Sequence, residues 1–200
     1  MALTPAVFLD KDGTLLIDVP YNVEPARMHF APGVPEGLAL LRKLGWPLVV
    51  ISNQPGLALG IFDQAQWQRC CAELNAMCRR AGAPLAGVFH CPHVALSALG
   101  SRFSPGCSCR KPQPGLIRHA AAVHDIEVRR SWMIGDILND VEAGGRAGCQ
   151  TVLIDNGNET EWEQGAARVP TYIAADFEQA AAFIVRSAAT SSQATGVQQP

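Results

Sequence analysis

The stretch AVFLDKDGT, residues 6–14, runs from four apolar residues directly into two carboxylates and a glycine. A short continuous apolar run is typical of a strand that is buried on both faces of a parallel sheet. Gly13 allows a sharp turn after the acidic pair. Asp10 and Asp12 are therefore predicted at the carboxyl end of a strand, where open α/β sheets bind their ligands. A simple Asp-Gly turn that caps the strand is the alternative.

Four further apolar runs, each followed by a polar or glycine-rich break, extend this pattern along the chain. They predict strands over residues 48–51, 87–90, 132–134 and 151–154. Segments with helical periodicity, bounded by residues that favour helix ends, lie between and after these runs. They predict helices over residues 35–44, 63–81, 114–124, 139–147 and 176–186. Strands that alternate with helices indicate an α/β fold with a parallel sheet.

The 200 residues are predicted to form one domain over residues 1–186. Residues 94–106 show little periodicity and are predicted to form a loop. The small and polar segment 187–200 is predicted to be a disordered tail.

Charge and hydropathy exclude several classes of protein. The net charge of −2 gives the chain as a whole no electrostatic basis for binding nucleic acid. No run of 18 apolar residues could span a membrane, and the first residues lack the pattern of a secretory signal. We therefore expect a cytoplasmic monomer without nucleic-acid or membrane partners.

Two other predicted strands also end on groups that suit phosphate chemistry. Ser52 and Asn53 follow the second run, where a hydroxyl and main-chain N–H groups can donate to phosphoryl oxygens. Asp136 follows the fourth run, and a carboxylate at that place is a natural Mg²⁺ ligand. Each group alone could be a turn or a helix cap, but their convergence at one edge of the sheet favours a single site.

The paired carboxylates of residues 10 and 12 can divide the work of phosphoryl transfer. One can attack phosphorus while it holds a hard cation, and the other can act first as general acid and then as general base.

Two close pairs of residues that flank the predicted loop form a candidate metal site. Cys91 and His93 precede the loop, and Cys107 and Cys109 follow it. Three thiolates and one imidazole suit a closed, structural Zn²⁺ site, whereas a disulfide would leave the histidine unexplained. His93 is preferred to His90 because its Cys-x-His spacing mirrors Cys-x-Cys. The other four cysteines are expected to be structural thiols.

The order of these groups along the chain resembles that of the haloacid dehalogenase superfamily of aspartyl-phosphate phosphotransferases. The resemblance covers about residues 6–156 and is carried by the segment DKDGT, Ser52, Lys111, and Asp136 with Asp140. It implies a doubly wound, Rossmann-like domain.

This resemblance also implies a role for each matching residue. Asp10 would form the phosphoaspartyl intermediate, and Asp12 would be the acid and base. Ser52 and Lys111 would neutralise charge on the phosphoryl group. Mg²⁺ would be held by the side chains of Asp10 and Asp136 and by the main-chain carbonyl of Asp12. Fixing Cys109 with zinc should fix where Lys111 points, because only Arg110 separates them.

Combined with the insertion C-x-H…C-x-C-R-K-P, the motifs are similar to those of the D-glycero-D-manno-heptose 1,7-bisphosphate phosphatases. That family implies a minimal cap, a zinc loop beside the substrate, and removal of the C7 phosphate from a small phosphorylated sugar. The substrate-binding residues implied are Asp18, Tyr21, Ser52, Asn53, Gln54, Arg110 and Lys111.

Two positions depart from the family pattern. Leu59 and Ile137 stand where this family often has arginine and lysine. Aliphatic side chains remove favourable electrostatics toward a bisphosphate, so recognition of the second phosphate stays open. The alternatives are a phosphatase of histidinol phosphate or another small phosphomonoester, and a catalytically silent, zinc-bound interaction module. A thiol redox protein would rest on the cysteine count alone.

Overall fold

The computed structural model describes residues 3–94, 107–163 and 165–195. Six strands form one sheet, and every pair of neighbouring strands is parallel. The strands are β1 (Val7–Leu9), β2 (Leu48–Asn53), β3 (Gly87–Cys91), β4 (Trp132–Gly135), β5 (Gln150–Ile154) and β6 (Tyr172–Ala174). Their order is β3-β2-β1-β4-β5-β6, so the chain winds outward in both directions from β1. The predicted doubly wound α/β class is confirmed.

Helices cover both faces of this sheet. They are α1 (Val34–Leu41), α2 (Gly56–Leu59), α3 (Gln64–Arg80), α4 (Gly115–Val123), α5 (Leu138–Ala147) and α6 (Phe177–Thr195). Val7 and Leu9 are buried in a cluster with residues of α1, α3 and α6, whereas Phe8 is buried in a cluster with residues of α4 and α5. Successive side chains of a strand point to opposite faces, so β1 contributes to both cores and carries no polar side chain.

All five predicted strands are present, and the structure adds a sixth. β6 spans only three residues and includes the exposed Ile173, so it lacks the continuous apolar run that marks the buried strands. The short helix α2 was also not predicted. The helix predicted over 176–186 continues to Thr195, into the segment predicted to be a tail. Residues 196–200, and residues 95–106 of the predicted loop, lie outside the described residues.

The connection between β1 and β2 agrees with a minimal cap. Residues 10–47 are all described, and they form a bridge between Leu16 and Phe30, short 3-10 turns and α1, with no separate domain. The carboxyl ends of β1 and β2 are therefore not covered by a domain inserted at this point. In the described part of the chain, no helix combines the length and apolar character needed to cross a membrane.

The contact between α1 and α6 depends on a residue without a side chain. A Cβ atom on Gly37 would overlap the ring of Phe177 and would lie 2.9 Å from the Phe177 carbonyl oxygen. Both helices pack on the same core, so neither can retreat freely.

Gly37→Ala should therefore lower the free energy of unfolding by about 1–3 kcal/mol, the usual cost of overpacking. This loss opposes the gain of about 1 kcal/mol that alanine normally gives within a helix. Gly145→Ala in α5 is the matched control, because a Cβ there meets nothing closer than 3.5 Å and should leave stability unchanged or raised. Urea unfolding followed by circular dichroism measures both. Equal stabilisation by the two substitutions would contradict the packing argument.

Candidate active site and metal centres

Three neighbouring strands bring their carboxyl ends, and the polar residues that follow, to one edge of the sheet. Asp10 directly follows β1, and its N–H donates to the Ile134 carbonyl of β4 at 3.0 Å. Ser52 lies near the end of β2, on one side of β1, and Asp136 follows β4 on the other side. The three predicted groups are therefore adjacent because their strands are adjacent.

Lys111 reaches this edge from a loop before α4. Its ammonium is ion-paired with Asp10 and Asp140, and it donates to the Ile51 carbonyl at 3.0 Å. Burial alone would lower the pKa of Lys111, but the two carboxylates outweigh it and raise the pKa above its ordinary value. The lysine is therefore a permanent positive charge at the centre of the site.

Asp10, Asp136 and Asp140 form a buried cluster in which one carboxylate oxygen of each residue lies within 4.8 Å of the corresponding oxygens of the other two. Burial raises the pKa of Asp10 to about 7 against the opposing charge of Lys111, and burial raises the pKa of Asp136 to about 6. Among the described residues, Asp140 Oδ1 has the Lys111 ammonium beside it but no well-directed hydrogen bond. Three carboxylates facing one ammonium leave negative charge uncompensated, and carboxylate oxygens are the ligands that Mg²⁺ prefers. The cluster fits a divalent cation.

The carboxylate of Asp12 lies outside that cluster and has its own partners. Lys11 pairs with one oxygen, and Gln54 Nε2 donates to the other at 2.9 Å. The same Gln54 amide contacts Ser52 Oγ at 2.8 Å. The resemblance assigned the main-chain carbonyl of Asp12 to Mg²⁺, so the set Asp10, Asp12 and Asp136 stays a prediction.

Sequence reasoning missed Lys11 as part of the site. Its side chain is 1% exposed, and its ammonium lies 6.0 Å from the centre of the Trp67 ring. A lysine between two aspartates indicates a possible ion pair with one of them. The sequence could not show that this lysine is buried. Its ion pair with Asp12 restrains the Asp12 side chain.

The contact of Asn53 with substrate stays a prediction, and in the structure its amide forms hydrogen bonds within the protein. Its Oδ1 accepts from the Lys111 N–H at 3.0 Å, and its Nδ2 donates to the Lys111 carbonyl at 3.1 Å. Both hydrogen bonds fix the main chain that carries the buried ammonium. Asn53 therefore positions Lys111.

Gly13 permits the close approach of the loop after β1 to the residue that follows β4. Its φ angle is +82°, and a Cβ atom would overlap Asp136 Oδ2 and lie 2.5 Å from Asn158 Nδ2. Thr14, the next residue, donates to Asp136 Oδ1 at 2.9 Å. Gly13 was predicted to allow a sharp turn, and the structure shows that a side chain at this position would also not fit. Asn158 belongs to a polar loop after β5 that sequence reasoning missed, because its Asn-Gly pair is typical of an ordinary turn.

Cys91, His93, Cys107 and Cys109 converge on a second centre, here called the cysteine cage. The six distances between the three sulfurs and His93 Nδ1 range from 2.8 to 3.6 Å. All three cysteines are free, and a disulfide would bring two sulfurs to about 2.05 Å. Ligands about 2.3 Å from a tetrahedral ion lie roughly 3.8 Å apart, so the contracted cage fits one metal ion.

The three thiols of the cage do not ionise alike, because burial raises the pKa of Cys91 and of Cys109. Burial opposes ionisation of Cys107, but hydrogen bonds from Cys109 and from main-chain N–H groups, including that of Arg110, outweigh it and lower its pKa to about 7. The neighbouring His90 instead accepts a hydrogen bond from Trp67 Nε1 at 3.1 Å. The structure therefore places His93, and not His90, with the three thiols.

The cysteine cage is linked to the active site through the residues that follow it. Arg110 Nη1 donates to the His93 carbonyl at 3.0 Å. Cys109 is thus the last residue of the cage along the chain. The side chain of Arg110 bonds back to His93 of the cage, and the residue after Arg110 is Lys111. The amide of Asn53 holds this lysine from the other side.

Two other predicted substrate residues are not members of the buried cluster. Asp18 and Tyr21 are exposed in the loop after β1, and Tyr21 adopts a φ angle of +55°. Partial burial and the negative charge of Asp12 raise the pKa of Asp18. Leu59 is 44% exposed at the end of α2, and Ile137 is partly buried just before α5.

The remaining cysteines lie outside the cage. Cys70 and Cys78 are buried, and Cys71 and Cys149 are partly buried. Burial raises the pKa of Cys71, Cys78 and Cys149 to about 12, so these thiols stay protonated at neutral pH. This agrees with the structural role expected for them.

Comparison with known proteins identifies relatives of this chain. A HAD-hydrolase-like family model matches residues 108–180. The D-glycero-beta-D-manno-heptose-1,7-bisphosphate 7-phosphatase of Photorhabdus laumondii is 40% identical over 81% of this chain and 87% of that relative.

The chain belongs to the heptose bisphosphate phosphatase family of the haloacid dehalogenase superfamily.

Solved structures of this superfamily share the fold. A putative phosphatase of Mesorhizobium loti superposes with a TM-score of 0.78 at 28% identity, over 93% of this chain and 88% of that one. The D,D-heptose 1,7-bisphosphate phosphatase of B. bronchiseptica, complexed with magnesium and phosphate, gives a TM-score of 0.73 at 27% identity. That match covers 92% of this chain and 99% of the other. The resemblance stated from the motifs is confirmed.

Removal of one ligand from the cysteine cage should release its metal and displace Lys111. Cys109→Ser is expected to lose the bound metal, measured by elemental analysis, and to lower the free energy of unfolding by about 2 kcal/mol or more. Phosphatase activity should fall as well, even with excess Mg²⁺. Cys149→Ser is the matched control because this thiol lies outside the cage. Full activity in metal-free Cys109→Ser would show that the cage does not position the lysine.

Proposed function

We propose that this chain is a Mg²⁺-dependent phosphatase that removes the C7 phosphate of D-glycero-D-manno-heptose 1,7-bisphosphate through a phosphoaspartate on Asp10. The observation that carries the proposal is the buried Lys111 ammonium shared by Asp10 and Asp140, beside the cluster completed by Asp136. A charge arrangement of this kind can hold an anionic phosphoryl group next to a carboxylate nucleophile. The names of the relatives supply the substrate.

The first step forms a bond between an Asp10 oxygen and phosphorus. The bond from phosphorus to the C7 oxygen breaks, and protonated Asp12 gives its proton to that oxygen as the sugar leaves. In the second step Asp12 takes a proton from water, and the water oxygen attacks phosphorus. The bond to Asp10 then breaks, inorganic phosphate leaves, and both aspartates return to their starting forms.

The surrounding residues keep these groups in place. Lys11 and Gln54 hold the two oxygens of Asp12. Lys111 and the Ser52 hydroxyl stabilise charge on the transferring phosphoryl group, as an oxyanion hole does. Asn53 fixes the main chain of Lys111.

Two metal ions complete the proposal. Mg²⁺ would be held by Asp10, Asp136 and the Asp12 carbonyl with Asp140 nearby, and when bound it supplies Lewis-acid stabilisation of the phosphoryl oxygens. Zn²⁺ would occupy the cysteine cage, whose four protein ligands leave no open position and so give a structural role.

The proposal also covers the substrate, the cellular compartment and the oligomeric state. A small phosphorylated sugar is the partner, and Asp18, Tyr21, Gln54 and Arg110 are proposed to line its path. The seven free cysteines fit a reducing cytoplasm. A monomeric state stays a prediction.

Asp10→Asn should abolish the reaction, because an amide cannot replace the carboxylate nucleophile. We expect kcat to fall by roughly 1,000-fold or more while the fold is retained. Asp125→Asn is the matched control, since Asp125 is exposed and precedes β4 at the opposite edge of the sheet. Steady-state phosphate release and circular dichroism measure the two effects. Substantial turnover by Asp10→Asn, with deamidation excluded by mass spectrometry, would exclude Asp10 as nucleophile.

Substrate preference separates the proposal from the alternative of a histidinol-phosphate phosphatase. The value of kcat/KM for the heptose 1,7-bisphosphate should exceed that for histidinol phosphate by about 100-fold or more, because a polar site rejects ligands that leave its groups unpaired. A comparison with the heptose 7-phosphate tests whether Leu59 and Ile137 weaken use of the second phosphate. Preference for histidinol phosphate would favour the alternative, and no phosphate release from any ester would favour an inactive module.

A further inference from the structure

The loop that follows β5, residues 155–159, sends three polar side chains to the active-site edge. Asn156 Nδ2 donates to the Gly13 carbonyl at 2.8 Å. Asn158 Nδ2 donates to Asp136 Oδ2 at 2.8 Å. Glu159 Oε2 accepts from the Leu138 N–H, in the first turn of α5, at 2.6 Å. One short loop therefore contacts the turn after β1, the carboxylate after β4 and the helix that carries Asp140.

The contact from Asn158 completes a pair of hydrogen bonds to one carboxylate. Thr14 Oγ1 donates to Asp136 Oδ1 at 2.9 Å, so each oxygen of Asp136 has one donor. A carboxylate oxygen has two lone pairs and keeps one of them available for a cation. The terminal torsion of an aspartate is broad, so an Asp136 held at a single oxygen would sample several orientations. Two donors on opposite oxygens restrict it to one.

Asn156 and Gly13 fix the position of the loop after β5 relative to the turn that carries Asp10 and Asp12. Gly13 follows Asp12 and approaches both Asp136 and Asn158 so closely that it has no room for a side chain. The amide of Asn156 holds the Gly13 carbonyl in that position. The loop after β5 thus joins the end of β1 to the end of β4.

We propose that Asn158 is a positioning residue that sets the affinity of the active site for Mg²⁺ by fixing the Asp136 carboxylate. This inference rests on the proposed function, because it takes Asp136 to be a Mg²⁺ ligand. Hydrogen-bond partners that orient a metal ligand typically change metal affinity about 10- to 100-fold when they are removed.

The experiment measures Mg²⁺ binding directly and does not depend on turnover. Asn158→Ala and the nearly isosteric Asn158→Leu both remove the donor, and Asn158 is exposed, so neither change should unfold the protein. Asn75→Ala is the matched control, because the Asn75 amide accepts a hydrogen bond from the Leu85 N–H in a region away from the site. Titration calorimetry with MgCl2 gives Kd, and thermal denaturation with and without MgCl2 gives an independent measure.

Both Asn158 variants should raise the Kd for Mg²⁺ by about 10- to 100-fold, whereas Asn75→Ala should leave it unchanged. Their kcat should approach the wild-type value at saturating Mg²⁺. A Kd within twofold of wild type in both variants would overturn the role of Asn158 while the proposed function stands. If the wild-type protein itself binds no Mg²⁺, both the proposed function and this inference are wrong.

Discussion

The buried ammonium of Lys111 is the charge around which the rest of the active site is arranged. A charge buried without partners costs several kcal/mol, so the fold must deliver acceptors to it from several directions. Asp10, Asp140 and the Ile51 carbonyl do this from three separate parts of the chain. The amide of Asn53 and the cysteine cage then hold the main chain on either side of this residue. The position of one lysine thus connects the sheet, the α4 side of the fold and the cysteine cage.

The sheet separates apolar packing from charge. β1 supplies Val7 and Leu9 to one core and Phe8 to the other, so polar side chains can follow only where the strand ends. Parallel strands place these ends together, and β1 lies between β2 and β4 at the centre of the order. The carboxylates are consequently concentrated at a place where burial raises the pKa values of Asp10 and Asp136. A divalent cation bound at this place would relieve the repulsion between these carboxylates.

The two candidate metal centres differ because their possible ligands differ. The cysteine cage offers three sulfurs and one nitrogen in a closed set, which suits a structural ion with no reactive position. The aspartate cluster offers only carboxylate oxygens, and Mg²⁺ held by a few carboxylates typically keeps positions for substrate oxygens and water. The proposed functions divide accordingly: one ion would shape the loop that carries Lys111, and the other would act on the phosphoryl group.

The sequence by itself determined the fold class and the four buried strands that flank or form the site, and it predicted the acidic and cysteine residues that the structure brings together. These features appear as short-range sequence patterns, namely apolar runs that end on carboxylates and closely spaced cysteine pairs. Only the tertiary structure decided that β6 completes the sheet, that Lys11 is buried against Asp12, that Asn53 holds Lys111, and that Asn158 reaches Asp136. Each of these depends on contacts or burial that the local sequence pattern does not encode. A polar side chain acquires its partners only when folding brings distant parts of the chain together.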